Sequence, residues 1–519
     1  MIRQGMLAAL CIAALWPLNL LAADSQLIAD PAARRHGLTR PWFNQVEMDV
    51  GRGRVRDVVL DDGVLFVQND RAMVQAIHGE SGQTLWARQI GRPNHPSMTP
   101  GVNRDLLVII NGSRLYAVNR ANGETLYETQ VQGAPGAGAG MSSKRAFVPM
   151  VNGLVLAYRL DPLTDPLKEL GRVERTATAE EKAAAEEVRR ENVRLKQEYI
   201  PPLASQSFGR ALVQPLVTME TKLDEYCVWP TDRGFLNIGI ISKLGDERFG
   251  VKFRMESKGG FDCRPTYMPP DPKIAGDSGV IIAGGRDGFV YAVVERSGDT
   301  LWRFPAGDSI IRSPVLLDDR LFVTTQLGGM YCLDAKTGKD KWWAAQVMQF
   351  IAASKERIYT ADRQGHLLVL NAQTGQRLDA LDVGDLSLAV PNSENDRLYL
   401  VSKTGLVQCL RETDQEKPLR YNDREAAAKI VTEQKGLDDA PAQPKKPAKK
   451  DNEELQPKAP KPKAKGKEGD DPFGPAGGPA GGDAPAAGDP PAAKAPADPG
   501  GAEPAGAAGG GVGPDPFAK

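Results

Sequence analysis

Residues 313–343, SPVLLDDRLFVTTQLGGMYCLDAKTGKDKWW, hold three short runs separated by Asp-Asp, Gly-Gly and Thr-Gly turns and close on a Trp. Runs rich in β-branched and aromatic residues, fenced by turn formers at this spacing, read as a four-stranded antiparallel meander. A single meander leaves its faces uncovered, so a unit of this kind has to stack on copies of itself. The unit does recur. Second-strand runs fall near 64–68, 106–110, 146–150, 225–229, 279–283, 321–325, 357–361 and 397–401. The eighth repeat has room for three strands only, while residues 42–50 supply a spare strand at the start. A ring of sheets closes when an N-terminal strand completes the last sheet and removes the free edges. The expected fold is therefore an all-β, eight-bladed propeller of four-stranded antiparallel blades. A seven-bladed ring would require the third or fourth repeat, the two least regular, not to count.

A second periodicity lies in the turn after each third strand, where a small residue is followed ten positions later by an aromatic. Ala76, Gly82 and Trp86 set the pattern, and Ala117 with Tyr127, Ala292 with Trp302 and Cys332 with Trp342 repeat it. The seventh repeat keeps Gly375 but has Asp379 in place of the aromatic. The glycine suits a left-handed turn, and a flat aromatic at the start of each outer strand covers area between blades that no aliphatic would. Trp86, Tyr127, Trp302 and Trp342 are thus expected to pack blades together. Cys332 and Cys409 stand in the alanine slot and read as small buried apolar residues. Cys227 and Cys263 are left as a candidate disulfide for an exported protein.

The turn sequence resembles the PQQ-like β-propeller repeat family, whose signature runs Ala-x-Asp-x-x-Thr-Gly-x-x-x-Trp. Cys332-Leu-Asp334-Ala-Lys-Thr337-Gly338-Lys-Asp-Lys-Trp342 matches it apart from the first residue. The resemblance covers residues 43–413 and implies the propeller fold. It leaves function open, because the family includes quinoprotein dehydrogenases, BamB-like scaffolds of outer-membrane β-barrel assembly and other exported propellers. The dehydrogenases would imply PQQ with calcium, beside an adjacent Cys-Cys pair and often a Cys-x-x-Cys-His haem site. The chain contains neither arrangement, so a non-catalytic member without a cofactor is expected, and a PQQ-dependent oxidoreductase is the alternative.

The ends and one interruption depart from the repeat. Arg3, an apolar run over residues 6–21 and small residues at 22–23 read as a cleaved export signal over 1–23, with a retained anchor as the alternative. Residues 24–41 read as a linker, and the propeller is expected over 42–420. From 421 to 519 a Lys/Pro/Ala stretch gives way to Gly/Pro/Ala/Asp repeats, a composition too poor in apolar side chains to fold. Asp-Pro-Phe occurs there at 471–473 and 515–517. Residues 176–199 break the β pattern with helix formers, with Thr178 and Glu181 as a capping box. This helix, inside an insertion over 174–204 between the third and fourth repeats, is expected to be a docking arm for a protein partner or a solvated decoration.

Chemistry is sparse. His36, His78, His95 and His366 have no metal-ligand spacing with Cys or carboxylates. The Gly276-Asp-Ser-Gly279 tetrapeptide lies in a hairpin turn with no His or Asp in a matching context. A formal net charge of −1 gives no global basic field for nucleic acid. Binding is what remains. First strands line a propeller's channel, and Arg56 and Arg312 take equivalent positions in theirs, with Arg210 and Arg264 nearby. Converging guanidinium groups would take an anion or a peptide carboxylate, unless each pairs with a local acid such as Asp57 or Asp262. The sequence therefore predicts an exported, monomeric interaction scaffold of the cell envelope, with a small-ligand sensor as a further alternative.

Overall fold

The computed structural model describes residues 27–160, 178–197, 201–221, 224–242, 247–384 and 388–421. The expected signal at 1–23, the tail beyond 421 and both Asp-Pro-Phe triplets lie outside the described residues. The strands form eight four-stranded sheets. Blade 1 comprises Val55–Asp61, Val64–Asn69, Met73–His78 and Thr84–Gln89, innermost to outermost. Blades 2 to 7 span 101–130, 140–206, 216–256, 266–305, 315–345 and 349–381. Blade 8 takes three strands from 388–412, and its outermost strand is Leu38–Gln45, paired antiparallel to Leu406–Glu412.

The closing strand starts earlier than 42, and the expected linker is partly structured. A short helix, Asp30–Arg35, precedes the strand and buries Ala33 against blades 7 and 8. Pro41 does not break the strand, because the register shifts between Thr39 and Trp42 and leaves that position outside the regular ladder.

The insertion also sits differently from expectation. It interrupts blade 3 between its third strand, Leu154–Arg159, and its outermost strand, Leu203–Gln206, rather than separating two repeats. The helix Ala179–Gln197 is started by the reciprocal cap: Thr178 N–H donates to Glu181 Oε2 at 2.8 Å, and Glu181 N–H to Thr178 Oγ1 at 3.2 Å.

The core consists of wedges between neighbouring blades. Leu317 and Trp342 of blade 6 pack with Phe350 and Leu368 of blade 7, and Trp42 of the closing strand packs with Val55 and Leu65 of blade 1. Each Trp of the turn pattern reaches into the next blade's turn. Trp86 Nε1 donates to Arg120 O at 2.8 Å, Trp302 Nε1 to Ala335 O at 3.1 Å and Trp342 Nε1 to Ala372 O at 3.2 Å. Trp42 does the same to Gly79 O at 2.8 Å, so the junction that closes the ring uses the same latch as the others. Tyr127 is half-buried against the wedge between blades 2 and 3. At the blade 7–8 junction, Asp379 pairs with His36 Nδ1 instead.

The four cysteines of the described residues are free and buried. Cys227 belongs to the wedge between blades 3 and 4 and Cys263 to that between blades 5 and 6, which rules out the candidate disulfide.

Candidate functional site

A meander ring has two unlike faces. Turns between second and third strands, and the connections from one blade to the next, emerge on one face; all other turns emerge on the opposite one. Six of the exposed large apolar side chains lie on the first face: Val50, Val151, Phe208, Leu212, Ile311 and Leu327. Phe208 is 63% and Leu327 78% exposed. Others lie on outermost strands (Phe43, Leu85, Trp343, Leu378), and Val188 lies on the helix inserted in a connection of the opposite face, whose plain hairpin turns carry none of them. That opposite face is joined across blade junctions by ion pairs. Arg120 Nη1 stands 2.6 Å from Asp61 Oδ2, Arg145 Nε 3.3 Å from Glu225 Oε2, and Arg397 Nη2 3.4 Å from Glu80 Oε2.

Phe208 stands on a cationic platform. Arg254 lies 4.9 Å over its ring and 5.5 Å over that of Phe235, and the two rings are 6.1 Å apart. Arg303 covers Phe289 in the same way at 4.5 Å. Such stacking holds aromatic and guanidinium planes in place at the surface and leaves part of each available to a partner.

The four arginines singled out in the sequence do not form one cluster. Arg56 is on the innermost strand of blade 1, with Nε 3.5 Å from Asp57 Oδ2. Burial raises the Asp57 carboxyl above the usual range, against the pull of Arg56 and of the Thr99 hydroxyl. Arg210 is in the connection from blade 3 to blade 4, held by Asp232 with Nε to Oδ2 at 2.7 Å. Burial alone would raise the Asp232 carboxyl, but the bonds from Arg210 outweigh it and hold it low. Arg264 is one position out of step with Arg312, because Thr266 and Val315 are the equivalent partners of Ile282 and Phe322. Asp262, its expected acid, is taken by Arg286. Arg312 differs from the other three. It stands three residues before the innermost strand of blade 6, and no hydrogen bond or ion pair engages it among the described residues.

Arg312 opens onto a concavity of about 210 Å³ between blades 6, 7 and 8, walled by Met348, Ile351, Leu367 and Leu400. Its side chain meets solvent, yet the surrounding wall displaces enough water to pull the guanidinium below its ordinary pKa. Arg363, in a blade 7 turn, lines the same space. Reasoning from sequence missed Arg363, Phe208 and Leu327. For Leu327 a signal existed: Asp70-Arg71, Asp232-Arg233 and Lys403-Thr404 occupy the equivalent turns, so an apolar tip there is anomalous.

Among the described residues no three His, Cys, Asp or Glu side chains gather as a metal site, and no helix is long and apolar enough to cross a membrane. The family model described as outer membrane protein assembly factor BamB matches residues 34–160 and 286–382. The BamB protein of Legionella pneumophila is 24% identical over 127 residues, 24% of this chain and 33% of that protein. The tetrathionate hydrolase of Acidithiobacillus ferrooxidans is 22% identical over 168 residues, 26% of this chain and 34% of that enzyme. The chain thus spans about a third of the length of either curated relative. The crystal structure of BamB from Moraxella catarrhalis superposes with a TM-score of 0.50 at 14% identity, covering 72% of this chain and 98% of that one. At that identity the likeness speaks for the fold alone.

Proposed function

The chain is a PQQ-like β-propeller, and from that premise we propose that it is a non-enzymatic scaffold which holds a protein partner on its loop face during assembly of outer-membrane proteins. The observation that carries this reading is the one-sided exposure of Phe208, Leu212, Ile311 and Leu327 on a ring whose opposite face is bound up in ion pairs. Large apolar side chains left exposed on one face among polar groups mark a surface that another protein covers. The wedges behind it are fully packed, so the face is presented rigidly and little ordering cost falls on binding. In this reading the protein works in the cell envelope after export, without a cofactor. The helix inserted in blade 3 is a second contact.

Affinity capture from an envelope fraction tests the proposal, with wild type, Phe208→Ser plus Leu327→Ser, and a chain lacking 176–199 as baits. The expected result is a defined partner held by wild type and lost by the double variant at unchanged melting temperature, with partial loss for the helix deletion. Retention by the double variant would overturn the loop-face assignment. Turnover of an alcohol or sugar with PQQ and calcium, or of tetrathionate, by the purified chain would overturn the scaffold reading altogether.

A further inference from the structure

We propose that the concavity between blades 6, 7 and 8 is a receptor for a polypeptide C-terminus, with Arg312 and Arg363 taking the α-carboxylate and the apolar wall taking the last side chain. The inference rests on the scaffold reading and names the part of the partner that this site grips.

Charge is the first argument. Two guanidinium groups line one small space, and neither has a hydrogen-bond or ion-pair partner among the described residues. The acid beside them is already engaged. Asp362 accepts from His366 Nδ1 at 2.9 Å and from the backbone N–H groups of Gln364 at 2.8 Å and His366 at 2.9 Å. Burial pushes this carboxyl up, but those bonds outweigh it and hold it below the usual range. Asp362 therefore stays ionised and engaged within its own turn. Asp362 lines the same space with one negative charge, so two guanidinium groups against one engaged carboxylate leave the concavity with a net cationic excess. A carboxylate is the planar acceptor that a guanidinium fork matches.

Shape and size are the second. The wall behind the arginines is apolar, with Ile351 and Leu367 of blade 7, Leu400 of blade 8 and Met348 of the connection between blades 6 and 7 contributing side chains. A volume of about 210 Å³ is below the roughly 300–1,000 Å³ typical of drug-sized ligands. It suits one residue with its terminal carboxylate. Capture of a C-terminal carboxylate beside a side-chain pocket is a known mode of peptide recognition.

The third argument separates a polypeptide from a free organic acid. Met348 in the wall lies so close to Gly328 that a Cβ there would be 3.3 Å from its sulfur. Gly328 follows Leu327, and Ile311 precedes Arg312, so each exposed side chain is next in sequence to a residue that lines the concavity or touches its wall. A chain leaving the concavity runs onto them at once, whereas a small acid touches neither.

The test is fluorescence anisotropy on the full chain, with an N-terminally labelled hexapeptide ending in Val-Leu. The peptide is used with a free carboxylate and as its C-terminal amide, and isovalerate serves as competitor. We expect the free acid to bind and the amide to bind about tenfold or more weakly, as loss of a charge-assisted bond implies. Arg312→Gln and Arg363→Gln should each weaken the free acid by a similar factor, while Arg312→Lys retains part of the affinity and Arg56→Gln retains all of it. Leu327→Ser should weaken the peptide without altering isovalerate competition. Equal binding of acid and amide, indifference to both arginine variants, or a peptide no tighter than isovalerate would each overturn the proposal. Loss of partner capture with Phe208→Ser plus Leu327→Ser but not with Arg312→Gln would overturn it while the scaffold reading stands.

Discussion

A methyl group at Gly338 would enter the indole of Trp302, because its Cβ would lie 2.5 Å from that ring, at a φ of +69°. Gly63 shares the φ of +69° but has nothing within 4 Å of the same atom. The two positions separate backbone strain from the latch. Gly63→Ala should cost about 1 kcal/mol, the left-handed penalty alone, and Gly338→Ala roughly 2–4 kcal/mol because the Trp must also move. Chemical denaturation of the two variants checks the difference, and equal losses would show that the indole contact contributes nothing. The cysteines give a second residue-scale prediction. Burial pushes the Cys263 thiol up to about 12 and Cys332 up to about 11, and thiolates are the reactive form. Alkylation at pH 8 should leave the four core thiols unmodified in the native state and label them all in denaturant, as read by intact mass. The Trp–Gly latch was readable in the sequence because both partners recur at fixed spacing. Arg363 was not, because exposure at a turn tip is decided by which neighbouring turns approach it. The offset of Arg264 from Arg312 was hidden for a related reason: hairpin loops of different length precede the second strand in the two blades, and only strand pairing fixes the register.

At the scale of elements, the count of blades and the closing strand were legible from the turn periodicity and from the missing fourth strand of the last repeat. The outermost strand of blade 3 was not. Leu203–Gln206 is short, carries Ser and Gln, and pairs with Leu154–Ala157 across the whole insertion, so no local alternation announces it. The blade 7–8 junction is the other irregular element. Asp379 stands where an aromatic would latch and is paired with His36, just ahead of the closing strand. Burial raises the Asp379 carboxyl, but the bonds from His36 and from the Ala380 N–H outweigh it and hold it low. A carboxylate lowered in the folded state stabilises the fold above its unfolded value of about 3.9 and loses that contribution as pH falls through the folded value. Asp379→Asn should therefore melt below wild type at pH 6, with the gap closing as pH drops below about 4. A gap independent of pH would assign the effect to packing instead of to the ion pair.

For the whole molecule, the wedge packing means that each blade is stabilised from both sides, so the ring should unfold as one unit and not blade by blade. Removal of residues 27–45 takes away the outermost strand of blade 8, Trp42 and the helix at 30–35 together. The edge of Leu406–Glu412 then has no partner, and an unpaired edge recruits another chain. The truncated protein should melt well below the full chain and elute from size exclusion as oligomers where the full chain elutes as a monomer. The closing pair also has a consequence in time. Leu38–Gln45 leaves the ribosome among the first strands, yet its partner, Leu406–Glu412, is made more than 350 residues later. At roughly 5–20 residues per second, the first strand waits tens of seconds with its edge bare. Ring closure is therefore gated by synthesis of the eighth repeat, and a chain stopped short of it has no route to a closed ring.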